Sequence, residues 1–314
     1  MTNEGSSDKI NYLVRPAKQV ERKLIVEALQ CLNKNYNISG YTYVGMGSKY
    51  FVDFQMVHKF LGINKMISFE MEEEKIRRFK FNKPYNFIDV QSGLSTDILP
   101  TLSWDTDYMV WLDYDYKISS SIIDDIDIVC DNARPGTIFL LTIDAEPKRF
   151  DEEFPENEKQ KMKKRLEKLK KEIHPNYPPD TSVSDMAQKN FPKLLFKIIN
   201  ERIRDGLSLT DLSFFQIFNF IYEDSAQMYT YGCVFERNNE KIRDTGIYDL
   251  HYISSGDQFV RINLPILTPR EKIHFDRLIP NIEKKLEAFE LDHEKIRSYE
   301  KYYRYYPQYF ESFI

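Results

Sequence analysis

Apolar residues recur at helical spacing from Val20 through Leu24, Ile25, Ala28 and Leu29 to Leu32. Arg15-Pro16 marks the start of this helix, since proline is tolerated in a first turn. The period then changes. Short apolar runs at residues 41–46, 65–69, 86–90, 108–112 and 137–143 predict five strands, and 52–61, 72–81, 96–102 and 119–133 read as helices between them. Gly62 closes the first of these helices and Pro84 limits the second. Strand and helix alternating through short connections specify a parallel sheet covered on both faces.

After Asp144 the pattern turns helical and charged. Residues 156–173 are almost a pure Lys/Glu helix, and 183–204 are amphipathic around Leu194, Leu195, Ile198, Ile199 and Ile203. Two apolar runs, 214–222 and 228–235, flank Glu223-Asp224-Ser225-Ala226-Gln227 and predict an antiparallel hairpin. A last strand at 258–264 precedes helices from 269 to 299 and an aromatic tail. The expected organisation is a disordered polar lead (1–9), one α/β domain (10–265) with a helical insertion (145–206), and a C-terminal helical extension (266–314).

Composition narrows the class. With 42% hydrophobic residues the chain can bury a sizeable core, and no apolar stretch nears the ~18 residues of a membrane-spanning helix. The polar start lacks the order of a secretory signal. Cys31, Cys130 and Cys233 are odd in number and far apart, which argues against disulfides or a zinc site and for the cytoplasm. The net charge of -5 gives no global nucleic-acid signal. Glycine is scarce, 11 of 314 against a usual share of ~7%, so each one is informative.

Two of them lie in Val44-Gly45-Met46-Gly47-Ser48, between the first strand and its helix, where the crevice of an open parallel sheet binds ligands. The dinucleotide fingerprint fails, because its third glycine falls on Tyr50. Glu70 ends the second strand, placed to accept hydrogen bonds from a ribose diol, with Glu72 as the near alternative. A nicotinamide dinucleotide needs the missing glycine for its pyrophosphate; S-adenosylmethionine has no phosphate and does not. Five alternating strands, a helical insertion and a late hairpin also match the strand order of methyltransferases.

At this point the residues resemble a family. Arg15-Pro16-Ala17-Lys18 with Glu21-Arg22, Tyr43-Val44-Gly45 with Gly47-Ser48, Tyr50-Phe51, Asp53-Phe54, Trp111-Leu112-Asp113-Tyr114-Asp115 and Leu267-Thr268-Pro269-Arg270-Glu271 together resemble a bacterial, largely uncharacterised O-methyltransferase family. The resemblance implies a Rossmann-like class I fold: a mostly parallel seven-stranded sheet, an antiparallel late hairpin, the insertion and C-terminal helices. It also implies S-adenosylmethionine as methyl donor. The family's fourth-strand motif usually continues Asp-Tyr-Asp-Gly; here Tyr116 replaces the glycine.

Methyl transfer mainly requires that donor and nucleophile be held in line. Asp113 is the candidate for positioning donor or substrate and Asp115 for accepting the acceptor's proton; either alone can instead cap the helix near Ser119. Val44, Gly45, Met46, Gly47, Ser48, Glu70 and Asp113 are the cofactor candidates. Asp89 joins them at the end of the third strand, where related folds contact the adenine amino group. Arg15 and Lys18 are candidates for the donor carboxylate or an acidic substrate, Asp53 for the donor pocket, and Asp144 for a turn or the substrate. The five histidines show no metal-ligand spacing.

The Lys/Glu helix reads as a solvated surface, with nucleic acid or a partner as the weaker option. Eight aromatic residues between Tyr299 and Phe313 can pack on the chain's own helices, meet a second copy, or dock a partner. The expected function is methyl transfer to an O or N nucleophile. A catalytically inactive binding module acting with a partner, and a nicotinamide dehydrogenase, are the rival readings.

Overall fold

The computed structural model describes residues 15–71, 73–151, 157–280, 282 and 291–307. The expected disorder of 1–9, and Tyr309, Phe310 and Phe313 of the aromatic tail, lie outside them.

The first helix, α1 (Pro16–Leu32), precedes β1 (Thr42–Gly45), α2 (Val52–Leu61), β2 (Lys65–Glu70), α3 (Ile76–Asn82) and β3 (Ile88–Ser92). A single turn, α4 (Ser95–Ile98), leads to β4 (Tyr108–Lys117), α5 (Ser120–Asn132) and β5 (Ile138–Asp144). The insertion holds α6 (Glu158–Glu172) and α7 (Phe191–Gly206). The chain continues through β6 (Ser213–Glu223), β7 (Gln227–Glu236), α8 (Glu240–Arg243), β8 (Val260–Ile262), α9 (Pro269–Leu278) and α10 (His293–Tyr302).

One sheet runs in the order β3-β2-β1-β4-β5-β7-β6-β8. Its pairs are parallel except those made by β7, which lies antiparallel to both β5 and β6. The first seven positions of that order are the class I methyltransferase arrangement. The sheet has eight strands rather than seven, because the last strand is used: β8 pairs in parallel with the outer side of β6, Phe220 against Val260.

Side chains alternate across the strands, so each face of the sheet has its own core. One face packs Tyr43, Met109 and Trp111 against α1, α2 and the C-terminal helices; the other packs Val44, Val110 and Leu112 against α5 and α7. The C-terminal aromatics belong to the first core: Tyr299, Tyr302 and Tyr306 are 0%, 0% and 2% exposed. The tail is thereby anchored on its own chain as far as it is described, to residue 307. Tyr306 accepts from the Leu267 N–H at 3.1 Å and donates to the Pro265 carbonyl at 2.9 Å.

Two strand boundaries differ from expectation in ways that matter. β4 does not end at Leu112 but runs through Asp113-Tyr114-Asp115-Tyr116 to Lys117, with a register shift against β5 between Asp113 and Lys117. The extension keeps the two-residue alternation, so Asp113 shares the α1 face with Trp111, and Tyr114 turns into the opposite core. β3 starts two residues late and ends at Ser92, which moves its carboxyl end away from Asp89.

Candidate active site

The carboxyl ends of the parallel strands open into one cleft of about 360 Å³. Met46, Gly47 and Ser48 line it after β1, Glu70 and Met71 after β2, Gly93, Leu94 and Ser95 after β3, and Asp113 to Tyr116 at the end of β4. Asp144 and Arg149 follow β5; Tyr222, Ser225, Ala226 and Met228 come from the β6–β7 hairpin, and Arg15 and Arg22 from the first helix.

Local chain chemistry shapes the β1 turn. The Gly47 N–H donates to Ser68 Oγ at 3.1 Å, and that hydroxyl donates on to Glu70 Oε1 at 3.5 Å. The turn and the β2 carboxylate are therefore tied together across two strands. A Cβ at Gly47 would lie 2.5 Å from the Phe51 ring and 2.7 Å from Ser68 Oγ. The fold itself thus demands glycine here. Ser48 and Phe51 adopt left-handed backbone at φ 48° and 50°. Such conformations cost on the order of 1–3 kcal/mol each and cluster at functional sites.

Beneath the turn lies a buried charge cluster supplied by α1. Asp224, at the hairpin tip, accepts from the Ala17 and Lys18 N–H groups at 2.9 and 3.0 Å, so it caps a helix about two hundred residues away in sequence. That contact fixes the helix over the strand ends. Lys18 Nζ then lies 2.9 Å from both Glu21 and Asp113, over the rings of Trp111 (4.9 Å) and Tyr222 (5.1 Å). Glu21 accepts from the Thr230 hydroxyl; Thr230 meets Thr142 at 2.8 Å, and Trp111 Nε1 donates to Thr142 at 3.1 Å. Alongside, Arg22 Nε and Nη2 hold both oxygens of Asp53 at 2.6 and 3.0 Å.

Burial works against both cations, yet their carboxylate neighbours prevail. Asp113 and Glu21 hold the Lys18 ammonium above its usual range, and Asp53 does the same for the Arg22 guanidinium. Burial raises the Glu21 carboxyl despite Lys18, as expected where two carboxylates share one ammonium. Burial also opposes ionisation of Asp53, but Arg22 brings its carboxyl below the ordinary value.

On the other side of β4, the Tyr114 hydroxyl and Ser95 Oγ both donate to Asp125 Oδ2. Among the described residues no cation accompanies that carboxylate. Burial pushes it up to about 6, although both hydroxyl bonds pull the other way.

Several sequence candidates thus meet in one place: Met46, Gly47, Ser48, Glu70, Asp113 and Asp115 all line the cleft. Asp115 is exposed and makes no hydrogen bond to another described residue, whereas Asp113 is held by Lys18. Asp53 lines the cleft through its pair with Arg22. Asp144 accepts from the Glu146 N–H at 2.7 Å and from Arg149 at 2.6 Å, so the turn role and the cleft position coexist. Val44 and Gly45 lie inside β1 and do not reach the lining. Asp89 does not either: it is exposed on the edge strand, bonded to Gln91 at 2.7 Å. With β3 shifted, Ser92 stands opposite Glu70, and Gly93 to Ser95 occupy the wall expected of Asp89.

Ser68, Glu21, Arg22 and Arg149 had no assigned role from sequence. Ser68 had a legible signal, a lone polar residue two before Glu70 in an apolar strand. Among the described residues no group of three or more His, Cys, Asp or Glu is placed to hold a metal ion. No helix among them is long and apolar enough to cross a membrane.

Comparison with known proteins gives the family. No curated protein matches the chain. Similar solved structures include Trm1 from Pyrococcus horikoshii in complex with S-adenosyl-L-methionine, at 11% identity and TM-score 0.48, covering 73% of this chain and 58% of that one. An O-methyltransferase from Bacillus cereus in complex with SAH is 13% identical with TM-score 0.38, over 73% of this chain and 86% of that one. TomG from Streptomyces achromogenes, an O-methyltransferase involved in tomaymycin synthesis, is 14% identical with TM-score 0.36, over 72% and 90%. The chain thus spans 58% of the Trm1 chain's length. Residues 10–314 match the family described as "Putative O-methyltransferase", nearly the whole sequence, and the chain belongs to that family.

Proposed function

We propose that this chain is an S-adenosylmethionine-dependent methyltransferase acting on an oxygen or nitrogen nucleophile. The observation that carries the reading is that Ser68 links Gly47 to Glu70, and that both line a cleft shared with Asp113 and Asp115. Residues 10–265 form the catalytic domain in this reading, with 145–206 as an insertion and 266–314 as an extension whose described residues complete the core behind α1.

The residues fit the donor's parts. Glu70 suits a ribose diol, exposed Met71 and half-exposed Leu94 offer apolar surface for a purine, and Asp113 offers a carboxylate to the amino-acid ammonium. When bound, S-adenosylmethionine supplies an electrophilic methyl group on a sulfonium. The chain's part is to position the nucleophile in line and to take up its proton. Lys18 neutralises and fixes Asp113, which makes it a holder of position. Asp115 has no partner among the described residues and is the group that accepts the proton.

Calorimetry with S-adenosylmethionine and S-adenosylhomocysteine tests the donor. Binding of both by the folded wild type is expected, and binding of neither overturns the reading. Once an acceptor is identified by a 14-dalton mass gain, Asp115→Asn should lower kcat by roughly 10²–10⁴ with little change in donor affinity. An unchanged kcat would remove Asp115 from that role.

A further inference from the structure

We infer that Arg22 selects a donor that carries a free carboxylate, by offering that group the unused Nη1 edge of its guanidinium. The inference rests on the S-adenosylmethionine reading and deepens it: Asp113 answers the ammonium of the donor's amino-acid end, and Arg22 answers the carboxylate.

Arg22 is 2% exposed yet lines the cleft. A guanidinium presents five N–H donors in a planar fork. Nε and Nη2 are committed to the two oxygens of Asp53. Nη1 is buried and has no hydrogen-bond partner among the described residues. Buried polar groups are nearly always satisfied, and one left over on the wall of a ligand cleft points to the ligand. A guanidinium donates only, so the complementary group is an acceptor, and an anion pairs best.

Position and charge agree with this. α1 is fixed over the strand ends by Asp224, so Arg22 does not depend on a mobile loop for its place. The charge of Asp113 also reaches Arg22. The cleft therefore offers both signs to one small group, and a zwitterionic amino-acid end adds no net charge to the cluster of two cations, Lys18 and Arg22, and three carboxylates, Glu21, Asp53 and Asp113. A purely structural Arg22–Asp53 pair accounts for two donor atoms of the fork but leaves Nη1 without a use.

The test compares S-adenosylmethionine with decarboxylated S-adenosylmethionine, which differ only in the carboxylate, by calorimetry on the full chain. Wild type should bind the carboxylated donor at least ~10-fold tighter, as for loss of a charge-assisted hydrogen bond. Arg22→Gln with Asp53→Asn removes both buried charges together and so avoids an uncompensated one. That variant should cut the preference at least ~10-fold while changing affinity for the decarboxylated donor less than ~3-fold. Arg22→Lys retains a cation for Asp53 but loses the fork, and should lower the same preference in part. Equal wild-type affinity for the two donors, or equal loss of both in the variants, overturns the role of Arg22 and leaves the donor reading standing. Binding of neither donor by folded wild type overturns the donor reading itself, and the role of Arg22 with it.

Discussion

The first helix and the helix of the insertion carry charge at the same spacing, and the fold puts it in opposite surroundings. In α1, Lys18 and Glu21 pair at 2.9 Å with side chains 1% and 0% exposed. In α6, Glu158 and Lys161 pair across the same three-residue step at 3.0 Å, but are 70% and 29% exposed. Distance therefore does not separate them; burial does. An exposed pair is typically worth ~0.2–1 kcal/mol, whereas removing one partner of a buried pair leaves a stranded charge and costs ~3–5 kcal/mol. The buried cluster also sits beside a cleft. Charges kept there at such cost hold Asp113 in place, while those of α6 keep a helix in water.

The sharpest way to break this contrast is Lys18→Met. It leaves Glu21 and Asp113 without their shared cation, below Trp111 and Tyr222. Urea denaturation should show a loss of ~3–5 kcal/mol, partly recovered when Glu21→Gln is added, because one buried carboxylate is then gone. A loss below ~1 kcal/mol would place α1 with α6 and remove the distinction.

A smaller effect is expected at Asp125, which is buried with hydroxyl partners and, among the described residues, no cation. Its folded-state value of about 6 stands above the ordinary 3.8. A carboxyl raised on folding binds its proton more tightly in the native state. Its contribution is therefore fully present below about pH 4 and is lost as pH rises through about 6. The amplitude is on the order of 3 kcal/mol. Stability of wild type relative to Asp125→Asn, measured from pH 4 to pH 8, should fall across that window. A flat difference would mean that Asp125 stays ionised in the fold.

Much of the fold was legible because periodicity reports burial directly. The boundaries of α2 are the predicted ones, and the late hairpin and the Lys/Glu helix α6 fall where the sequence pattern places them. The misses have one physical source: contacts distant in sequence. β4 runs on through two aspartates and two tyrosines, which as isolated residues read as a loop; Lys18 on another element stabilises one of those aspartates within a strand. The aromatic tail had no assigned partner because its bonds go to Pro265, Leu267 and Glu27. At the site, Glu70 and Gly47 were legible from their positions at strand ends. Glu21 and Arg22 were not, because a Lys-x-x-Glu-Arg step on a helix reads as solvated surface. The clue was how far apolar positions wrap around α1: Ala17, Val20, Leu24, Ile25 and Val26 leave little of the helix for water. Asp89 stays off the cleft lining for a narrower reason, since a two-residue shift in β3 moves the strand's carboxyl end past it.

The smallest effect belongs to α6, and it tests the contrast from its other side. Lys161→Ala removes one partner of the Glu158 pair. Glu158 is 70% exposed, so water takes over the carboxylate and no charge is stranded. Alanine also has the higher helix propensity, which offsets part of the lost attraction. The expected change in unfolding free energy is within ~0.5 kcal/mol, and it should shrink further in 1 M salt, where screening acts over about 3 Å. Lys18→Met measured in the same salt should keep nearly its whole penalty, because ions do not enter a site that is 1% exposed. If the two losses fell together with added salt, burial would not be what separates the helices, and the charges of α1 would have to be read as surface charges as well.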